Sequence, residues 1–150
     1  MSEEAVLQSA HSHFAQQEPK FSRPKLLLAD DHDMVLERLL SLLVEYQVVG
    51  TAHNGSDLVS KALQLQPDVI VSDITMPVLN GIDAAHELHK AGSTAKFVFL
   101  TVHVQPAFLE ACFAEGALGF VTKSHLGTDL LPALKDALCG RCFISPCIRR

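Results

Sequence analysis

The stretch VIVSDITMP at residues 69–77 decides the fold, because it joins a fully apolar run to an acid and a proline. Residues 69–71 are β-branched with no polar residue between them, which predicts a short strand buried on both faces. Strand-like runs also stand at residues 26–29, 47–52, 97–100 and 118–121. Strands buried on both faces are typical of a parallel sheet that is covered by helices.

Helix-like segments alternate with these five strands. Apolar residues recur at helical spacing over residues 35–43, and we predict Asp33 and Ser56 as the N-caps of the first two helices. Further helices are expected at about residues 81–91, 106–116 and 128–138, the last with Pro132 in its first turn. Five strands alternating with five helices predict an α/β fold of three layers, with a mostly parallel sheet in the middle.

Composition and charge indicate an ordinary soluble domain. The chain has 150 residues, 48% of them hydrophobic, and a formal net charge of −5, so it lacks the basic footprint of a nucleic-acid binder. No apolar run reaches the roughly 18 residues of a membrane span, and residues 1–19 lack the basic start of a secretory signal. We therefore expect a cytoplasmic protein with reduced cysteines and no membrane partner. We predict a flexible tail at residues 1–24, one domain at residues 25–140, and a tail or linker start at residues 141–150.

Acidic, hydroxyl and basic residues follow the predicted strands at their carboxyl ends. Asp30 and Asp31 follow the first strand, Asp73 the third, Thr101 the fourth and Lys123 the fifth. The carboxyl ends of parallel strands share one edge of a sheet, so we expect these side chains to meet. Close carboxylates repel one another unless a cation relieves them, and Mg²⁺ takes carboxylate oxygens while sharing a phosphate. The set therefore predicts phosphoryl transfer, with Asp73 as the nucleophile that forms an acyl phosphate.

Five separated segments of the chain form a pattern in a fixed order. They are LADDH at 28–32, VSDITMP at 71–77, Gly81, LT at 100–101 and GFVTK at 119–123. This pattern resembles the receiver domain of two-component response regulators, and DDH at 30–32 with GALGF at 116–120 resembles the NarL/LuxR type. The resemblance covers about residues 25–140. It implies a flavodoxin-like, doubly wound, five-stranded parallel sheet of order 2-1-3-4-5 with five helices.

The resemblance implies a chemical role for each matching position. Asp73 would accept a phosphoryl group from the phosphohistidine of a histidine kinase, and Thr101 and Lys123 would bind the phosphoryl oxygens. A magnesium ion would be held by Asp31, Asp73 and the backbone carbonyl of Thr75, with Asp30 acting through water.

Other matching positions would govern switching and dephosphorylation. Thr101 and Phe120 match the family's switch pair, where Phe120 lacks the hydroxyl of the frequent tyrosine. Thr75 and His103 lie where the family tunes hydrolysis of the phosphoryl group. Ser124 follows the lysine where proline is frequent, so the cis or trans state of the Lys123–Ser124 bond is left open.

The resemblance implies a signalling domain that catalyses only its own phosphorylation and dephosphorylation. Regulators of this type control transcription through a helix-turn-helix output domain, which is absent from these 150 residues. Two alternatives stay open: part of a DNA-binding regulator, or a stand-alone receiver that acts by protein contact or as a phosphate relay or sink. A homodimer through the face of the fourth helix, fifth strand and fifth helix is also expected.

Three other classes of protein fit the pattern less well. A haloacid-dehalogenase-type phosphatase would need an aspartate two residues after Asp73, where this chain has Thr75. A degenerate receiver that serves only as a binding module would have lost an acid or Lys123. An FMN-binding flavodoxin-like protein would need a phosphate-binding loop after the first strand, where this chain has two acids.

The remaining cysteines and histidines form weaker patterns. Cys139 and Cys142 have the spacing of a metal or redox pair, with Cys147 nearby, but they lie at a predicted helix end without a second pair. His86 and His89 are three residues apart on one predicted helix. A solvated helix face is the preferred interpretation of that histidine pair.

Overall fold

The computed structural model describes residues 23–102 and 106–149, in which strands and helices alternate. The strands are β1 (Lys25–Ala29), β2 (Gln47–Ala52), β3 (Val69–Asp73), β4 (Lys96–Thr101), β5 (Gly119–Thr122) and β6 (Phe143–Ile144). The α-helices are α1 (Asp33–Leu42), α2 (Gly55–Leu65), α3 (Gly81–Lys90), α4 (Pro106–Ala114), α5 (Leu126–Leu138) and α6 (Pro146–Arg149). A 3₁₀ turn, Lys123–His125, joins β5 to α5.

The strands form one parallel sheet in the order β2-β1-β3-β4-β5-β6. The predicted flavodoxin-like order of the first five strands is confirmed. The sheet has one strand more than the five predicted, because β6 lies in the stretch that the sequence analysis assigned to a tail or linker. Two residues are too few to show an apolar period, so β6 leaves no pattern in the sequence.

Both faces of the sheet are buried, as the apolar strands predicted. One core cluster contains Leu27, Ile70 and Phe99 together with residues of α2, α3 and α4, and the other contains Leu28, Val71 and Leu100 together with residues of α1 and α5. Full burial of one side chain of this size stabilises the folded state by about 1.5–3 kcal/mol relative to leaving it exposed to water. Successive strand residues thus point to opposite faces of the sheet, and the helices that cover the two faces produce the three layers. Polar residues with a chemical role are therefore expected at the ends of the strands.

The starts of three helices differ from the prediction. Asn54 and Asn80 cap α2 and α3, since their side-chain oxygens accept N–H groups three residues on, at 2.7 and 2.8 Å. Asp33 and Ser56 were wrong as caps, because each already lies inside its helix. Helix α5 begins two residues earlier than expected, directly after the 3₁₀ turn, so Pro132 lies in its second turn.

Two glycines let the loop after β3 approach the helices closely. A Cβ at Gly81 would overlap the carbonyl oxygen of Asp73, and a Cβ at Gly55 would overlap the carbonyl oxygen of Leu79. The N–H of Gly81 also donates to the Ile74 carbonyl at 2.8 Å. The first residues of α2 and α3 therefore hold the chain that follows the end of β3.

Some predictions fall outside the described ranges. Most of the tail predicted at residues 1–24 and the hydrolysis-tuning residue His103 lie there. Within residues 23–102 and 106–149, no helix combines the length and apolar character needed to cross a membrane.

Candidate functional site at the carboxyl edge of the sheet

The carboxyl edge of the sheet brings the predicted acids and lysine together. Asp30 follows β1, Asp73 ends β3 and Lys123 follows β5. Lys123 Nζ lies 2.7 Å from Asp30 Oδ2 and 3.2 Å from Asp73 Oδ2. The parallel strand order creates this cluster, because the three residues are far apart along the chain.

Burial makes the cluster electrostatically unusual. The side chains of Asp30, Asp73 and Lys123 are 0%, 8% and 14% exposed. Burial, followed by the negative charge of Asp30, raises the pKa of Asp73, while Lys123 and the backbone N–H of Thr75 partly oppose that rise. The ionised carboxylate of Asp73 is therefore less stable here than in water, and further positive charge would stabilise it.

Lys123 is held as a cation between the two acids. Burial is the largest single influence and lowers the pKa of Lys123, but hydrogen bonding and charge from Asp30 and Asp73 together raise it above the ordinary value. The ammonium group thus stays charged at neutral pH and is available to an anionic oxygen near Asp73.

Asp31 and His32 form the open side of the cluster. Their side chains are 30% and 67% exposed, and His32 Nδ1 lies 3.1 Å from Asp31 Oδ1 and 3.2 Å from Asp30 Oδ1. The N–H of His32 also donates to Asp30 Oδ1 at 2.9 Å. The sequence analysis gave His32 no role, although its position directly after the two acids was the available signal.

The carboxylate oxygens of this cluster are suitable ligands for a hard divalent cation. One ligand atom each from Asp30, Asp31, His32 and Asp73 lies within 4.8 Å of the others. Asp30 Oδ2 is buried and faces the Lys123 ammonium at 2.7 Å, with no other hydrogen-bond partner among the described residues. Three carboxylates beside one ammonium leave excess negative charge, which oxygen-seeking cations neutralise.

Thr101, Phe120 and Thr75 complete the predicted set. Thr101 ends β4 beside Thr122 of β5, and its side chain is nearly buried. Phe120 pairs with Phe99 across the strands and is fully buried in a core cluster. Thr75 is exposed in the loop after β3, and its backbone N–H reaches the Asp73 carboxylate.

A family model for the response regulator receiver domain matches residues 26–135. The chain belongs to this family. The receiver is 36% identical over 125 residues to the uncharacterized transcriptional regulatory protein YvfU of Bacillus subtilis, covering 81% of this chain and 62% of that protein. It is also 34% identical over 125 residues to the response regulator GacA of Pseudomonas aeruginosa, covering 81% of this chain and 58% of that protein. The chain thus spans about three fifths of the length of these curated relatives.

Solved structures give the same family and type. The receiver superposes on a two-component response regulator of the LuxR family from Aurantimonas with a TM-score of 0.78 and 33% identity, covering 85% of this chain and 94% of that one. The signal receiver domain of the putative response regulator NarL from Mycobacterium tuberculosis gives a TM-score of 0.74 and 28% identity, covering 80% and 99%. The NarL/LuxR-type resemblance is confirmed.

This receiver has Ser124 after Lys123, where proline is frequent in the family. No cis peptide bond occurs in the described ranges, so Ser124 follows Lys123 through a trans bond. A residue that sequence reasoning missed is Ser72, whose buried hydroxyl donates to the Asp73 carbonyl at 2.8 Å. Together with the close approach of Gly81, this bond fixes the backbone beneath the Asp73 carboxylate.

The other cysteine and histidine patterns are not part of the group of candidate metal ligands. Cys139, Cys142 and Cys147 are exposed free thiols, whereas burial raises the pKa of Cys112 to about 12. The imidazoles of His86 and His89 lie 3.1 and 3.5 Å from the Glu115 carboxylate. Both histidines are about half exposed, which agrees with the predicted solvated helix face.

Proposed function

We propose that this receiver accepts a phosphoryl group on Asp73 from the phosphohistidine of a histidine kinase. The observation that carries the proposal is the nearly buried Asp73 carboxylate, 3.2 Å from the Lys123 ammonium and beside buried Asp30. An Asp73 oxygen would attack phosphorus, the P–N bond would break, and the imidazole would leave with the electron pair and take up a proton. No turnover of another substrate is part of the proposal.

The surrounding residues have distinct proposed roles. Lys123 and Thr101 would bind phosphoryl oxygens, since the Thr101 hydroxyl ends β4, which pairs with β3, and the Lys123 ammonium, which follows β5, lies 3.2 Å from Asp73 Oδ2. Mg²⁺ would be held by Asp31, Asp73 and the Thr75 carbonyl, with Asp30 acting through water. The ion would neutralise charge on the transferring phosphoryl group. Thr75 and His103 would tune hydrolysis.

The conformational change that follows phosphorylation would begin at Thr101 and Phe120. A phosphoryl group adds a charge of roughly −2 at the sheet edge, to which the Thr101 hydroxyl would turn. Phe120 is fully buried in β5, two residues before the cross-strand partner of Thr101, and shares a core cluster with residues of α4, so a change in its packing would alter β5 and α4. The phosphoryl group shifts the equilibrium only by its different affinity for the two states.

The output is proposed from the relatives. YvfU is named an uncharacterized transcriptional regulatory protein, which supports control of transcription through a DNA-binding domain outside residues 1–150. A cytoplasmic location is part of the same proposal. The alternative is a stand-alone receiver that acts by protein contact or as a phosphate relay or sink. The expected homodimer through α4, β5 and α5 must accommodate β6, which pairs with the edge of β5. In the proposed division, residues 1–24 are a tail, residues 25–140 are the domain, and residues 141–150 are a C-terminal segment whose β6 pairs with β5.

Incubation with acetyl phosphate and Mg²⁺, followed by intact-mass measurement, tests the proposal. Wild type should gain the mass of one phosphoryl group, and chelation of Mg²⁺ should prevent the gain. Asp73→Asn should gain nothing, whereas Asp68→Asn, at the other end of the same strand, should behave as wild type. A gain in Asp73→Asn equal to that of wild type would exclude Asp73 as the acceptor.

A further inference from the structure

The C-terminal segment, residues 143–149, is docked against the edge of β5. The N–H of Phe143 donates to the Leu118 carbonyl at 2.8 Å, and the N–H of Ser145 donates to the Phe120 carbonyl at 2.9 Å. Ile144 pairs with Phe120 across the two strands. The segment therefore joins the strand that carries the proposed switch aromatic, and it contacts Thr122, the residue directly before Lys123.

Buried polar contacts fasten this segment. The Ser145 side chain is fully buried; its hydroxyl donates to Asp129 Oδ2 at 2.6 Å and accepts the N–H of Thr122 at 3.1 Å. Asp129 is itself buried and also accepts the Thr128 hydroxyl at 3.1 Å. Undocking would leave a buried carboxylate and a backbone N–H without these partners, which is costly away from water.

Apolar and thiol contacts add to the docking. Ile144 and Ile148 pack against the core cluster that contains Phe120. Cys147 Sγ lies 3.4 Å from Thr122 Oγ1 and 3.7 Å from His125 Nδ1. The segment thus contacts Thr122, directly before Lys123, and His125, two residues after it.

We propose that Ser145 is a positioning residue for Lys123 and that docking of the C-terminal segment and a phosphoryl group on Asp73 favour each other. Ser145 holds the N–H of Thr122, the residue directly before Lys123, whose ammonium lies between Asp30 and Asp73. This inference rests on the proposed phosphorylation of Asp73.

The direction of the coupling follows from reciprocity. In the docked state the end of β5 is held in place. Lys123 therefore loses less conformational freedom when its ammonium group binds phosphoryl oxygens. A ligand favours the state that binds it more tightly, so the phosphoryl group stabilises docking. By linkage, docking raises affinity for the phosphoryl group by the same factor. Phosphorylation would thereby fix the direction in which any chain after residue 149 leaves the domain.

Amide hydrogen exchange, measured by NMR with and without beryllofluoride and Mg²⁺, tests this coupling. Beryllofluoride is the probe because it mimics a phosphoryl group on aspartate. In wild type it should slow exchange of the Thr122 and Ser145 amides by about tenfold, within the usual range of coupling between sites. The Lys96 amide, bonded to Asp68 at the opposite edge, should respond far less.

Variants separate a positioning role from a merely structural one. Ser145→Ala should bind beryllofluoride about tenfold more weakly and lose the protection at Thr122, and Asp129→Asn, which keeps an acceptor oxygen, should fall between it and wild type. In a Lys123→Gln background, Ser145→Ala should weaken beryllofluoride binding no further, because coupled residues are not additive. Ser41→Ala, at an exposed position of α1, is the matched control.

The outcomes distinguish this inference from the proposed function. If wild type takes up neither phosphoryl group nor beryllofluoride, the proposed function fails. The inference alone is overturned if wild type binds beryllofluoride while the Thr122 amide exchanges at an unchanged or faster rate. Additive effects of Ser145→Ala and Lys123→Gln would also overturn it, because they would leave Ser145 a structural role only.

Discussion

Strand β3 has an aspartate at each end, and the two carboxylates have opposite surroundings. Asp68 precedes the strand, is exposed, and accepts the backbone N–H of Lys25 at 2.7 Å. Asp73 ends the strand with a side chain only 8% exposed, near the charges of both Asp30 and Lys123. The same residue type is a surface hydrogen-bond acceptor at one edge of the sheet and a candidate nucleophile at the other. The two residues have the same carboxyl group, so the different role of Asp73 comes from its burial next to other charged groups.

The strongest way to test this comparison is to remove the cation at each edge. Lys123→Gln should lower the free energy of unfolding by about 3–5 kcal/mol at pH 7, because it leaves buried carboxylates unpaired. Lys96→Gln, at the start of β4 on the opposite edge, should change it by less than about 0.5 kcal/mol. Urea unfolding midpoints measure both.

The pH dependence of the Lys123→Gln defect provides its check. Acidification should shrink the defect, since protonation of Asp73 removes one of the uncompensated buried charges. Equal losses in Lys123→Gln and Lys96→Gln would mean that the two edges do not differ in the way described.

Substitution of the glycines at the start of α3 and just after its end should change stability by an intermediate amount. Gly81→Ala should cost about 1–3 kcal/mol and slow phosphoryl uptake, because the added methyl group would push the Asp73 backbone out of place. Gly92→Ala, with φ of +87° and open space around it, should cost about 1 kcal/mol of conformational strain and leave uptake unchanged. Unchanged uptake by Gly81→Ala would show that the Asp73 carboxylate tolerates this backbone shift.

The smallest effect concerns the pH dependence of stability. Burial and the charge of Asp30 raise the pKa of Asp73, so the folded state binds this proton more readily than the unfolded state. The ionised carboxylate therefore lowers stability at neutral pH, and this cost disappears as pH falls below the ordinary aspartate pKa of about 3.9. Without metal, Asp73→Asn should raise the melting temperature by a few degrees at pH 7 and not at acid pH.

Asp68→Asn is the control for the pH experiment, because it alters an exposed carboxylate on the same strand. It should show no such pH-dependent gain. A melting temperature that falls in Asp73→Asn at pH 7 would mean that the pairing of Asp73 with Lys123 outweighs its burial.

The strand ends were predictable because a parallel sheet converts strand order into proximity. Asp30, Asp73 and Lys123 each adjoin a short apolar run, and that position alone placed them together. The cap asparagine Asn54 was missed because Ser56, two residues later, is an equally good cap by residue type. Only the observed start of each helix decides between neighbouring candidates of this kind.

Contacts between distant residues were beyond sequence reasoning. The hydroxyl of Ser145 meets Asp129, 16 residues earlier, and the N–H of Thr122, 23 residues earlier. Neither separation corresponds to a helical or strand period, so no pattern marks the three residues as neighbours. The docked segment is therefore a property of the tertiary structure, and β6 with its two residues was hidden for the same reason.

The shortness of β6 also limits how the sheet can associate with other chains. A strand at the edge of a sheet offers unpaired N–H and C=O groups on which a foreign strand can add. Here β6 takes the edge of β5 and ends after two residues, and Pro146 follows soon after with no N–H to donate. Growth of the sheet by edge-to-edge aggregation on this side is thereby discouraged.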